Sequence, residues 1–467
     1  MFNKKRLRSL FWTFLGAVKI KLISVGLRLN LKPTQILAFG FASLILIGAI
    51  LLTLPAASRD GKSVGFLNAL FTATSAVCVT GLVVVDTYTQ YSLFGQLVIL
   101  ALIQMGGLGI MTMATLIFLI IGKKITLRER LVMQEALNQL TLAGVVKLTR
   151  YIILTTIIFE GIGAFLLSLR FTKIYGLSRG IYYGIFHSVS AFNNAGFDLI
   201  GKFRSLTPFV EDPLINIVVM SLIIFGGLGF SVLYDIFTTR NFQKLSLHSK
   251  VVLTTTAILL SAGFLVFYIL EYSNPKTLGA LSPFGKVLAA AFQAVTPRTA
   301  GFNTLNLPDL TMPAKYFTIL LMFIGASPGS TGGGIKTSTF ATIIMMIYTV
   351  IASKEDVEIY QKRVPLDNIF KAVAIAIIAL LLVFTTSLLL TITEKADFLE
   401  ILFETTSAFG TVGLSLGITP HLSSLGKIFI ILTMFAGRVG PLTLALALAS
   451  RKKKAILKYP EERILVG

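Results

Sequence analysis

Four short segments of this chain end on a glycine that follows small, neutral residues: Val79-Thr80-Gly81, Asn194-Ala195-Gly196, Thr299-Ala300-Gly301 and Thr411-Val412-Gly413. None of the four carries a carboxylate, so the chemistry they offer is coordination by backbone carbonyl oxygens, which can stand in for the water shell of an ion. Glycine permits backbone conformations and close approaches that a side chain would block. Neutral oxygens suit a weakly hydrated monovalent cation, whereas divalent cations generally take anionic ligands. A second group of residues suggests control of passage. Gly325, Ser327, Pro328, Gly329, Ser330, Thr331, Gly332, Gly333, Gly334 and Lys336 form a polar interruption, residues 325–338, inside a long apolar stretch, and Arg438 sits alone in another apolar stretch. Charges in such settings are costly and seek a cavity or a partner.

The elements that must position these residues repeat. LFTATSAVCVTGL, IFHSVSAFNNAGF, AFQAVTPRTAGF and LFETTSAFGTVGL are versions of one pattern, and Phe71, Phe186 and Phe403 each stand ten positions before their glycine. The third version, with Phe292 and Pro297, is one residue shorter. Repeats of this kind set the architecture before single residues are interpreted. At 55% hydrophobic and 13% charged residues, the chain lies outside the range of soluble domains. Apolar stretches near the length that crosses about 30 Å of hydrocarbon occur at 36–54, 94–121, 151–169, 214–237, 251–270, 315–351, 369–390 and 425–449. Two flank each glycine-ended loop. The segment before each loop is helical in pattern but too short to cross, so it enters as a short helix and returns as extended chain, tolerated at membrane depth only where protein or water covers it.

The expected fold is therefore an all-α integral membrane protein with four pseudo-symmetric helix, re-entrant pore loop, helix repeats around a central ion pore, having eight transmembrane helices and four short pore helices. The repeats cover 36–122, 150–238, 250–352 and 368–449, joined by connections 123–149, 239–249 and 353–367, with a basic amphipathic segment 1–35 and a tail 450–467. More than half of the 42 Lys and Arg residues fall in the two terminal segments and the three connections. That bias puts those parts, and both termini, on the cytoplasmic side, so the glycine-ended loops enter from outside. The net charge of +21 thus reads as orientation and attraction to anionic lipid rather than nucleic-acid binding. The single cysteine, Cys78, excludes an intrachain disulfide.

Loops closing on TGL, AGF, AGF and VGL resemble those of the Trk/Ktr/HKT superfamily of potassium transporters, over essentially the whole chain, and most closely the bacterial Ktr-type membrane subunit. The resemblance implies a potassium filter with one glycine per repeat, at Gly81, Gly196, Gly301 and Gly413. It also implies an intramembrane gate at 325–338 held by Arg438, a homodimer in the bacterial inner membrane, and a cytosolic ring of regulatory subunits. ATP or ADP would bind on that partner only, with sodium as an activator and no cofactor on this chain. Glycine at the first filter position argues for potassium over sodium. Rival readings are a sodium or ammonium pore of the same architecture and a membrane scaffold for a cytosolic complex without transport. Three histidines and one cysteine form no pattern for an intramembrane enzyme. GSTGGGIKT misses the phosphate-loop spacing by Ile335 and follows no strand. Glu160, His187 and Glu404 are expected as buried hydrogen-bond partners, Arg298 as a brace behind the third loop, and the GGLG runs 106–109 and 226–229 as ordinary helix packing. Lys336 could line a vestibule or snorkel.

Overall fold

A computed structural model describes residues 33–109 and 145–448, together with 112–113, 131–132, 134 and 462. The amphipathic segment 1–35, the connection 123–149 and the tail 450–467 fall wholly or mainly outside these residues.

Each repeat opens with one long apolar helix: α1 (Pro33–Thr53), α4 (Val145–Tyr175), α8 (Leu247–Glu271) and α12 (Leu366–Thr393). Among the described residues these four helices alone are uninterrupted and apolar enough to cross a membrane, over 20, 30, 25 and 28 residues. A short helix follows each: α2 (Phe66–Val77), α5 (Leu177–Phe192), α9 (Pro283–Val295) and α13 (Phe398–Gly410). Their 12, 16, 13 and 13 residues reach only about 18–24 Å at 1.5 Å per residue, so they enter without crossing. Phe71, Phe186, Phe292 and Phe403 are fully buried, and the recurrence of this ring in the sequence reflects its place in the core.

The returning chain then starts a second helix: α3 (Leu93–Gly107), α6 (Pro213–Leu228), α10 (Met312–Phe323) and α14 (Ser424–Val439). Ser92, Asp212, Thr311 and Ser423 cap these helices through their side-chain oxygens, satisfying first-turn N–H groups. Three caps are themselves held by a residue in, or just after, the repeat's first helix: Arg170 on Asp212, Glu271 on Thr311 and Glu394 on Ser423.

Here the sequence expectation needs correction. The stretches 214–237 and 425–449 are not single spans. Gly229 (φ +93°) and Gly440 (φ +94°) end α6 and α14, and the chain resumes as α7 (Phe230–Thr239) and α15 (Pro441–Leu448). Between α6 and α7 the axis turns by 95°. Gly109 (φ +80°) stands at the same place after α3. A left-handed glycine closes a helix because no Cβ opposes that conformation. The GGLG runs therefore carry helix breaks as well as close packing. In repeat three the interruption 325–338 is present, and α11 (Thr337–Ile351) begins within its last two residues. The connection 353–367 contains one small antiparallel pair, β1 (Glu358–Ile359) with β2 (Lys362–Arg363).

Candidate functional site

The four glycine-ended segments meet. A Cβ placed on Gly81 would stand 2.6 Å from the Ala195 carbonyl oxygen; on Gly196, 2.8 Å from that of Ala300; on Gly301, 2.5 Å from that of Val412; and on Gly413, 2.1 Å from that of Thr80. The order runs from repeat one to four and back to one, so the contacts close a ring. Each glycine is required twice, by this contact and by its φ of +92°, +67°, +78° or +92°.

Two residues earlier, Val79, Asn194, Thr299 and Thr411 are also left-handed, at φ +52°, +55°, +68° and +50°. Non-glycine residues pay strain there, and such strain persists only where the surroundings impose it. The residues between, Thr80, Ala195, Ala300 and Val412, keep negative φ and are fully buried.

A hydroxyl residue at the end of each short helix anchors the loop. The Thr80, Ala195 and Val412 N–H groups donate to the carbonyls of Ser75, Ser190 and Ser407, five residues back, each at 2.8 Å. In repeat three the Ala300 N–H donates to the Thr296 carbonyl, four residues back, at 3.0 Å. A tighter turn thus absorbs the missing residue. The hydroxyls divide into two pairs. Those of Ser75 and Ser407 accept from the Gly81 and Gly413 N–H groups at 3.0 and 3.1 Å. Those of Ser190 and Thr296 donate to the Phe197 and Phe302 carbonyls, just beyond the glycines.

A polar residue follows each core phenylalanine: Thr72, His187, Gln293 and Glu404. Thr72 takes the Tyr91 hydroxyl, His187 the Leu199 N–H, and Glu404 the hydroxyls of Ser415 and Thr419. Arg298 donates to the Thr256 hydroxyl of α8, at 3.3 Å. Glu160 of α4 accepts from Gln104 and Asn193.

The interruption 325–338 lies against this ring. A Cβ on Gly332 would fall 2.0 Å from the Thr299 hydroxyl and one on Gly333 2.4 Å from that of Thr411, and the Gly333 N–H donates to the Thr411 hydroxyl at 3.0 Å. Ile324 and Ile335 form a parallel bridge at the neck of the loop, with the Gly325 N–H on the Ile335 carbonyl at 2.8 Å. The Lys336 ammonium turns back onto the carbonyls of Gly332 and Gly333, at 2.6 and 3.3 Å. It staples its own loop and does not snorkel. Ser327 and Thr337 close the other side, hydroxyl to hydroxyl at 3.0 Å.

Arg438 reaches this loop from repeat four. Its guanidinium donates to the Thr331 carbonyl and to the carbonyls of Gly106 and Gly107 at the end of α3, and lies 5.9 Å from the centre of the Phe41 ring. The last carbonyls of a helix lack intrahelical partners and carry partial negative charge, so a cation deep in the chain needs no carboxylate here. Repeats one, two and four share a packing device. A Cβ on Gly106, Gly226 or Gly437 would fall 1.9 Å from the carbonyl of Val77, Phe192 or Phe409, so the second helix lies directly on the end of its own short helix.

The profile of the TrkH family, described as cation transport protein, matches residues 26–457. The chain belongs to the TrkH family of cation transport proteins. Among curated relatives, the Ktr system potassium uptake protein B of Bacillus subtilis is 48% identical over 93% of this chain and 97% of the relative. The protein of the same name from Vibrio alginolyticus is 42% identical over 93% and 94%. The potassium/sodium uptake protein NtpJ of Enterococcus hirae is 42% identical over 94% and 98%. The crystal structure of the potassium transporter TrkH from Vibrio parahaemolyticus superimposes with a TM-score of 0.69 over 95% of this chain and 97% of that one, at 18% identity. The fold is thus that of the TrkH family, helical and multi-pass.

For this member of the TrkH family, sequence reasoning placed every ring residue in one cluster and brought Arg438 to loop 325–338. It missed Arg438's bonds to α3, and it missed Gln104 and Asn193 beside Glu160. Those contacts join residues far apart in the chain whose types alone give no pairing signal.

Proposed function

We propose that this chain is the ion-conducting membrane subunit of a Ktr-type bacterial potassium-uptake system. Potassium enters from outside through a filter lined by the carbonyl oxygens around Gly81, Gly196, Gly301 and Gly413, and loop 325–338 with Arg438 blocks the path below until it is displaced. The single observation that carries this reading is the closed ring of glycine-to-carbonyl contacts through all four repeats, because a ring of neutral oxygens is what replaces the water of a monovalent cation. The short helices add to it, since their carboxyl ends, which favour cations, precede the ring. The relatives named for potassium uptake support the ion.

Both termini and the basic connections face the cytoplasm of the inner membrane, where two copies pair and rest on a cytosolic regulatory ring that binds ATP or ADP. Sodium acts as an activator. The relative named for both potassium and sodium favours a second reading, in which sodium itself also passes.

The test is growth of a bacterium lacking its own potassium uptake on low-potassium medium, with the regulatory partner present, reading internal potassium and sodium. Wild type should restore growth and Gly413→Ser should lose it or admit sodium. A wild-type chain present in the membrane that moves no potassium would remove the proposal. Sodium entry through the wild type would establish the second reading.

A further inference from the structure

Loop 325–338 and the broken second helix of repeat two satisfy each other's backbone. A continuous helix through Gly229 would give the Gly226 carbonyl to the Phe230 N–H and the Gly227 carbonyl to the Ser231 N–H, because helical bonds join residues four apart. In the structure Gly226 instead accepts from the Thr331 N–H at 3.3 Å and the Thr331 hydroxyl at 3.1 Å. The Phe230 N–H donates to the Gly329 carbonyl at 3.0 Å, and the Gly227 carbonyl accepts from the Ser327 N–H at 3.0 Å. Segment 327–331 therefore occupies two successive rungs of an interrupted helix. Gly229 keeps the rungs apart with its left-handed φ of +93°, and a Cβ there would stand 2.6 Å from the Pro328 carbonyl. No proline stands between Leu214 and Thr239, so nothing in the covalent chain forbids one continuous helix.

We propose that the loop opens by exchanging hydrogen bonds with this helix. As 327–331 withdraws, Gly226 takes the Phe230 N–H, Gly227 takes the Ser231 N–H, and α6 and α7 straighten into a single helix. The proposal rests on the gate reading of the loop. Its physical basis is that backbone groups at membrane depth must stay paired. A loop that simply left would strand two carbonyls and one N–H of the helix, whereas the exchange strands none of them. Glycine can pass between left-handed and helical φ without a steric barrier from a side chain. The result is an element with two discrete arrangements, of the kind that switches use.

The exchange also gives the loop a handle. Asp235 of α7 accepts from the Ser246 N–H at 3.0 Å and the Ser249 hydroxyl at 2.6 Å, and Tyr234 packs edge-on against Tyr151 of α4, with centroids 5.0 Å apart. Straightening α6–α7 must move these contacts, so a load on the connection 239–249 biases the loop.

Two substitutions should act in opposite directions. Ser231→Pro is compatible with the second position of α7, where the N–H has no helical partner, but not with the interior of a continuous helix. Potassium uptake should fall at least tenfold at normal membrane abundance. Gly229→Ala disfavours the left-handed break and crowds Pro328, and should raise uptake several-fold. Spin labels on Ile217→Cys and Phe237→Cys in full-length Cys78→Ala chain read the geometry. Straightening lengthens their separation by roughly 10 Å, at 1.5 Å per residue along each arm of the bend.

If Gly229→Ala fails to insert, the labels are read in an Arg438→Gln background. A longer separation with raised uptake supports the exchange. Raised uptake with the short separation retained, or full uptake by Ser231→Pro, overturns the exchange and leaves a loop gate that opens some other way. Unchanged uptake in an inserted Arg438→Gln chain removes the gate reading itself.

Discussion

The ring of glycines and the level just beneath it are built from the same four repeats by opposite rules. In the ring every repeat does the same thing: a left-handed residue, a buried residue, a left-handed glycine, and a contact to the next repeat's carbonyl. Beneath it each repeat does something different. Repeat three contributes the loop, repeat four contributes Arg438, repeat two ends α6 on the loop's own N–H groups, and repeat one ends α3 on the Arg438 guanidinium. Arg438 does for α3 what Ser327 and Thr331 do for α6, supplying donors to helix-end carbonyls. On the proposed function the symmetric level presents one geometry to an ion, while the level that closes and opens assigns separate parts.

The largest effects are expected at the ring. Alanine at Gly81, Gly196 or Gly301 should each reduce potassium uptake by more than tenfold and to similar extents, because each adds a Cβ within 2.8 Å of a neighbouring carbonyl oxygen and forces a left-handed alanine. One alanine variant with normal uptake would show that the repeats are not equivalent there.

Arg438→Gln comes next, and its sign is reversed. Of its three carbonyl partners only Thr331 belongs to the loop; losing that charged hydrogen bond weakens closure by about 1.5–3 kcal/mol, so uptake should rise roughly tenfold. The smallest effects belong to the hydroxyl anchors. Ser75→Ala and Ser407→Ala each remove one hydrogen bond to a ring glycine, worth about 1 kcal/mol, and should lower the ratio of potassium to sodium uptake by roughly fivefold. A loss of total uptake at unchanged ratio would mean that these hydroxyls support the fold but not selection.

How much of this was legible follows the same division. The ring was readable because its requirement, a glycine with no room for a Cβ, is met four times by the same residue type at a nearly constant distance from a phenylalanine. Loop 325–338 was readable because polar residues interrupt an apolar run. The break at Gly229 was not, since the flanking FGGLGFSVL stays apolar and a glycine in a helix does not announce its φ, whereas the break at Gly440 was signalled by the Gly440-Pro441 pair and was passed over within an otherwise apolar run. The shorter third loop needed coordinates to become intelligible as a turn spanning four residues instead of five. Arg438's bonds to Gly106 and Gly107 depend on a partner more than three hundred residues away, a distance at which residue type carries no address.

The contact between Gly413 and the Thr80 carbonyl joins the first repeat to the last. During synthesis the loop of repeat one meets repeat two first and lacks its other neighbour until repeat four has emerged. A chain that stops before repeat four holds an unclosed ring, so on the proposed function a cell making this protein is exposed to a conducting pore only after the final helices are in place.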